Sequence, residues 1–175
     1  SSGRLKSDTA SVRAFAKYPT LFTQDRQPST DYLAIPEVSS ETRHYIPIAL
    51  LGSDVIASNK LQIIPGAGLL HFAILTSEMH MAWVRAVSGR LKRDYSYSPA
   101  VYYSFVWPEI SPEAQKRLEK LGQAVLDTRA AFVGSTLADL YDPTLMPPAL
   151  QKAHGAVDKA VETLYRRGGF ATEGE

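Results

Sequence analysis

Cations, flat rings and a single acid crowd the stretch from Glu78 to Ser98. It carries Arg85, Arg90, Lys92 and Arg93 beside Trp83, Tyr95 and Tyr97, with Asp94 set among the bases. Guanidinium forks interleaved with rings and hydroxyls suit contact with phosphates and base edges, whereas an unbroken run of lysines suits only phosphates. In an extended segment, alternate side chains share a face. Lys92, Asp94 and Ser96 then point one way, and Arg93, Tyr95 and Tyr97 the other. A lysine can donate to O6 and N7 of guanine, and an aspartate can accept from the amino group of cytosine. Together Lys92 and Asp94 could read both halves of one G·C pair, a discrimination of roughly 1–3 kcal/mol. The carboxylate also repels phosphate unless it finds a base amine. Spacing alone favours the plainer reading of the same two residues, an exposed ion pair on a surface strand worth about 0–1 kcal/mol. Arg85 and Arg90 stay open between phosphate anchors and ordinary surface charges of a helix. Trp83, Tyr102, Tyr103, Phe105 and Trp107 read as packing residues. His80, one position from two methionines, and His154, on an apolar helical stripe, read as satisfied core histidines.

These side chains need a scaffold, and the pattern along the chain suggests one. From Ser1 to Lys17 a helical rhythm carries Leu5, Val12 and Phe15, and it ends before Tyr18-Pro19 because proline disfavours helix in the preceding residue. Between Leu21 and Pro65, the runs YLAIPEV, HYIPIAL and KLQIIP are short, branched and aromatic, as strands are. Pro36 and Pro47 within two of them predict edge strands or bulges, since proline cannot donate to a ladder. From Leu69 to Gly89 the period changes to that of one amphipathic helix, with Gly89 as its end cap. RLKRDYSYSPAVYYSFVWP then reads as extended. SPEAQ at Ser111 combines a Ser cap, an early proline and a glutamate, and opens a helix with Leu118, Leu121, Val125 and Phe132 on one stripe. A second helix begins near Pro148 with Leu150, His154, Val157, Val161 and Leu164. Two such stripes pack most simply as a hairpin, joined through a short helical turn and a proline-rich connector in STLADLYDPTLMPP.

The chain has 175 residues and a formal net charge of +1, so any nucleic-acid footprint must be local. The absence of cysteine excludes disulfides and thiolate metal sites and fits a reducing, cytoplasmic setting. No apolar run reaches membrane-spanning length, and no signal peptide opens the chain. Both ends read as cuts through a longer polypeptide. Catalytic marks are missing. Gly66-Ala67-Gly68 lacks the rest of a dinucleotide fingerprint, neither Walker pattern occurs, and no Glu-x-Lys or Asp-x-Lys nuclease pairing is present. His44, His71, His80 and His154 lack ligand spacing, and no serine sits in a Gly-x-Ser-x-Gly elbow.

HFAILTSEMHMAWVRAVSGRLKRDYSYS, followed by YSFVWP, resembles the hallmark segment of the MmeI-like type IIG (or type IIL) restriction–modification enzymes. PTLF at Pro19, QPSTDYLAIPEVSSETRHYIPIALL, SDVIASNKLQIIP and STLADLYDPTLMPPALQKAHGAVDKAV extend the resemblance from about Val12 to Phe170. Such enzymes join a nuclease, a helical connector, an adenine-N6 methyltransferase using S-adenosylmethionine, a target recognition domain and a helical C-terminal region. This chain resembles only the last two. The family's Asn-Pro-Pro-Tyr signature is absent, and Met146-Pro147-Pro148-Ala149 is not a version of it. The resemblance implies no catalytic residue and no cofactor here, with S-adenosylmethionine and Mg²⁺ serving the parent. It implies base-reading residues at Lys92, Asp94 and Ser96, with Lys60 as partner of Ser96, which leaves room for it. A Lys and Asp pair at these positions implies a G·C pair with guanine on the target strand.

The expected fold class is therefore α+β, a small mixed or antiparallel sheet with a packed helix followed by a helical hairpin. The expected division is a connector helix over 1–18, a target recognition domain over 19–108 and a helical region over 109–175. The expected function is sequence-specific recognition of double-stranded DNA for a methyltransferase domain of the same parent chain, with Arg85, Arg90 and Arg93 on phosphates. Two other classes remain open at this point. One is a helical protein-interaction module without DNA specificity, which would show almost no salt dependence on DNA. The other is a small nuclease or transferase, which would turn over substrate with Mg²⁺ or S-adenosylmethionine.

Overall fold

The computed structural model describes residues 5–17 and 27–166. Within the described part of the expected first helix lie α1 (Ala10–Ala14) and a 3-10 turn over Phe15–Lys17. Leu5, one of its apolar positions, is 64% exposed. Residues 1–4, 18–26 and 167–175, including PTLF at Pro19, lie outside the described residues.

β1 (Tyr32–Pro36) runs through Glu37 into β2 (Val38–Ser39), so one extended segment serves two sheets. In the first sheet β1 lies between β3 (Ala49–Leu51) and β4 (Leu61–Pro65), all antiparallel. Tyr32, Leu33, Ala34 and Ile35 are all buried, so this strand is covered on both faces. A proline-bearing strand is expected at an edge, yet β1 is central. Its Pro36 is the last residue, beyond the reach of β3, which pairs only with residues 32–34, so the missing N–H breaks nothing on that side. Pro47 lies outside any strand. Tyr45, Ile46 and Ile48 are buried coil, and the Ile48 N–H donates to the Ile46 carbonyl across Pro47 at 2.8 Å.

The helix expected from Leu69 to Gly89 is two helices, α2 (Leu69–Leu75) and α3 (Glu78–Val87). Ser77 makes the break. Its backbone is extended, its hydroxyl donates to the Ile74 carbonyl at 2.6 Å, and its oxygen accepts from the His80 N–H. A serine that closes one helix and caps the next satisfies orphan groups of both. Gly89 is not the end cap either. Ser88 caps α3 in an extended conformation and Gly89 begins β5 (Gly89–Leu91), so no left-handed cap is required. Instead of an extended aromatic tail, the chain turns at Lys92-Arg93 into β6 (Asp94–Ser96) and then forms α4 (Pro99–Ser104). Ser98-Pro99 starts α4 with the same cap-and-proline signal as Ser111-Pro112. The second sheet is antiparallel with the order β2-β6-β5.

The C-terminal helices follow expectation, except that the first ends at Ala130 and leaves Phe132 of its expected stripe in the turn beyond. α5 (Pro112–Ala130) is capped by Ser111, α6 (Leu137–Leu140) by a Thr136/Asp139 capping box, and α7 (Pro148–Tyr165) pairs with α5 as a hairpin. α5 also lies directly on α2. Gly122 permits this approach, because a Cβ there would stand 3.1 Å from the Leu69 carbonyl oxygen. One hydrophobic cluster runs from Leu33 through Phe72 and Leu118 to Val161, so the sheets and the C-terminal helices share a core. The fold class is α+β, as expected.

Candidate nucleic-acid interface

The site is built outward from α3. The carboxylate of Asp158 on α7 accepts the Glu78 N–H at the first turn of α3 at 2.8 Å, and the Tyr45 hydroxyl at 2.7 Å. Burial holds the Asp158 pKa above the ordinary aspartate value, while these two donors pull it back. The Tyr45 phenol is raised by burial and by the facing carboxylate. Tyr45 also stacks on His154, 4.2 Å between ring centroids, and His154 Nε2 lies 2.6 Å from the Tyr141 hydroxyl. Arg129 donates to that hydroxyl and to the Ile48 carbonyl, lying against the Phe72 ring. The C-terminal helices thereby lock the start of α3 to the loop before β3.

The inner face of α3, from its first turn to its middle, is fixed by an aromatic cage. His80 Nε2 lies 3.0 Å from the Tyr97 hydroxyl, Phe105 packs edge-on to His80, and Trp83 Nε1 donates to the Val101 carbonyl at 3.3 Å. Burial lowers the His80 pKa to about 3, so this ring is neutral. His80 and His154 are core histidines, as their neighbours predict. Trp83, Tyr102, Phe105 and Trp107 pack as expected, but Tyr103 is 80% exposed.

On this base stands the β5–β6 hairpin. Leu91 pairs with Asp94, Arg90 with Tyr95 and Gly89 with Ser96. Residues directly opposite one another share a face. Tyr95 and Tyr97 are buried, which leaves Asp94 and Ser96, both half-buried, on the outer face with Leu91. The expected shared face of Asp94 and Ser96 is present. Lys92 departs from it. It is the first residue of the two-residue turn, exposed, with φ at 58°. Arg93 is the second turn residue and is also exposed. An uninterrupted strand over 90–98 cannot form, because the chain reverses to pair β6 with β5 and β2.

The arginines differ. Arg90 lies flat on the Tyr95 ring, 3.9 Å from its centroid, and donates to the Arg93 carbonyl at 2.9 Å, so it braces the turn. Arg85 pairs with Glu78 on the same helix at 2.7 Å and is half-buried. Asp94 accepts from the Glu41 N–H at 3.3 Å. Among the described residues no ion pair joins Lys92 to Asp94. Lys60 points its ammonium at Glu37, 3.6 Å away, rather than at Ser96. Glu37, which sequence reasoning passed over, is the joint of this surface. Its N–H donates to the Lys60 carbonyl at 3.0 Å, and its carbonyl accepts from the Tyr97 N–H at 2.8 Å. The signal for it lay in the single residue separating the two strand segments of YLAIPEVS.

A family model described as the MmeI target recognition domain matches residues 1–109, and one described as the MmeI C-terminal domain matches residues 110–175. The chain belongs to the MmeI target recognition domain family. It is 41% identical over 174 residues to DNA methyltransferase A of Bacillus subtilis (strain 168), covering 98% of this chain and 20% of that protein. It also superposes on the solved structure of the type IIL restriction–modification enzyme MmeI in complex with DNA, with a TM-score of 0.87 and 44% identity, covering 97% of this chain and 23% of that one. The chain thus spans about a fifth of the length of the relatives it matches. Among the described residues, no helix is long and apolar enough to cross a membrane.

Proposed function

We propose that this MmeI-type target recognition domain, with its C-terminal helices, selects the DNA sequence on which a longer restriction–modification protein acts. The hairpin tip enters the major groove. Lys92 donates to guanine and Asp94 accepts from the paired cytosine, while Ser96 and Lys60 face a neighbouring pair. Arg93 meets phosphate from the open side of the turn. Arg90 and Arg85 meet phosphate while keeping their present partners, since a guanidinium has five N–H donors. The boundaries near residues 18 and 108 then mark where a connector precedes, and a helical region follows, the recognition domain.

The observation that carries this reading is Lys92 itself. A two-residue hairpin turn with positive φ at its first position favours glycine, and an L side chain there is strained. A lysine kept in that conformation, exposed at the tip of a rigidly seated hairpin, is held for its ammonium group. The relatives support a parent that is a DNA methyltransferase of a restriction–modification system; our reading makes it a cytoplasmic adenine-N6 enzyme using S-adenosylmethionine, with Mg²⁺ for cleavage. This sequence lacks the Asn-Pro-Pro-Tyr signature that the resemblance places in the methyltransferase domain. Both groups are assigned to the remainder of the parent. In the full-length protein, exchanging the pair as Lys92→Glu with Asp94→Arg should invert the preference at one base pair. An unaltered site preference would refute the assignment.

A further inference from the structure

Leu91 has no apparent reason to be leucine within this chain. It is 57% exposed, and it belongs neither to the core nor to the half-buried residues packed against it. It stands directly opposite Asp94 on the outer face of the hairpin. Exposed Arg90, Lys92 and Arg93 flank it along the chain, so its surroundings suit a polyanion rather than an apolar protein partner. The major groove of unmodified DNA offers one apolar feature for such a side chain, the 5-methyl group of thymine. Cross-strand partners hold their Cβ atoms about 4.5–5.5 Å apart. Successive base pairs rise by about 3.4 Å. A side chain facing Asp94 across the ladder therefore falls on the pair next to the one Asp94 reads.

We propose that Leu91 is a specificity-determining residue that reads the methyl group of a thymine in the base pair adjacent to that contacted by Lys92 and Asp94. The inference rests on the major-groove reading above. The test begins with the preferred site of the full-length protein, selected from random duplexes, in which each thymine is replaced in turn by deoxyuridine. One replacement, next to the pair governed by Lys92 and Asp94, should weaken binding about fourfold, the equivalent of one buried methyl group. Leu91→Ala should lose the same factor on the thymine duplex and bind both duplexes alike. Because Leu91 makes no core contact, this variant should melt with the parent, and the melting curve is recorded alongside. A selected site without thymine at either neighbouring pair, or a uracil penalty unchanged in Leu91→Ala, overturns the proposal. If the Lys92 and Asp94 exchange redirects the protein while uracil is tolerated everywhere, Leu91 alone is wrong. If the exchange has no effect, the underlying reading fails first.

Discussion

On the proposed reading, the turn residue Lys92 trades stability for function. Its φ of 58° lies where an L side chain is strained and glycine is not. Lys92→Gly should therefore stabilise the fold, by about 1 kcal/mol, through relief of that strain. The same change should weaken binding to the preferred site, since the ammonium is gone. Chemical denaturation and a binding isotherm on one preparation measure both effects. A variant that is less stable, or that binds as well as the parent, contradicts the assignment. The neighbouring side chains explain how such a tip stays ordered. Arg90 clasps the Tyr95 ring and the Arg93 carbonyl, and the Glu41 N–H holds Asp94. Little of this was legible in the sequence. A two-residue turn announces itself through Asn-Gly or Asp-Gly, and Lys92-Arg93 contains neither. The residue types at 92, 94 and 96 were readable as chemistry, but the side on which Lys92 projects was not.

At the scale of elements, α3 is the platform and α7 sets its position. Asp158 takes one hydrogen bond from the start of α3 and another from Tyr45. Asp158→Ala leaves two donors without an acceptor, at a cost of about 2–4 kcal/mol in a denaturant titration. A loss below half a kcal/mol would mean that α3 is seated by apolar packing alone. Helix starts were legible where Ser and Pro stand together at Ser111, and the stripes of α5 and α7 predicted their pairing. The identical signal at Ser98-Pro99 was obscured by the aromatic residues that follow, whose β propensity suggested extension. The break at Thr76-Ser77 was hidden because the apolar residues on either side continue across it: Ile74 and Leu75 before, Met81 and Val84 after. Pro36 misled for a different reason. The rule against proline in central strands applies to residues whose N–H faces a partner, and Pro36 sits at the strand's end.

For the whole molecule, the recognition surface and the C-terminal helices stand on one core, and two neutral histidines are sealed in it. Burial pushes both His80 and His154 down to about 3. The unfolded chain binds protons at these positions below about pH 6.5, and the folded chain does not. Their contribution is therefore intact above pH 6.5 and is lost as the pH falls towards 3, by up to about 1.4 kcal/mol per pH unit for each ring. Asp158 acts in the opposite sense. With its pKa raised by burial, the folded chain keeps a proton that the unfolded chain has released, so its effect is to lower stability as the pH rises above the ordinary aspartate range. It is one group against two. Stability should fall by roughly 2–4 kcal/mol between pH 7 and pH 5. An unchanged melting temperature across that interval would mean that the rings are reached by solvent. The shared core could not be read from the sequence, because it depends on Gly122 letting α5 close on α2, and a lone glycine within a helical pattern does not announce its neighbour.

Sequence selection by this domain requires the exposed tip of the β5–β6 hairpin to reach the edges of base pairs. Replacing guanines of the preferred site one at a time by 7-deazaguanine removes the N7 acceptor while preserving pairing. The full-length protein should lose about tenfold in affinity at a single position, and Lys92→Ala should be indifferent to that same replacement. A site in which every guanine tolerates the replacement, or a penalty that persists without the lysine, would contradict it.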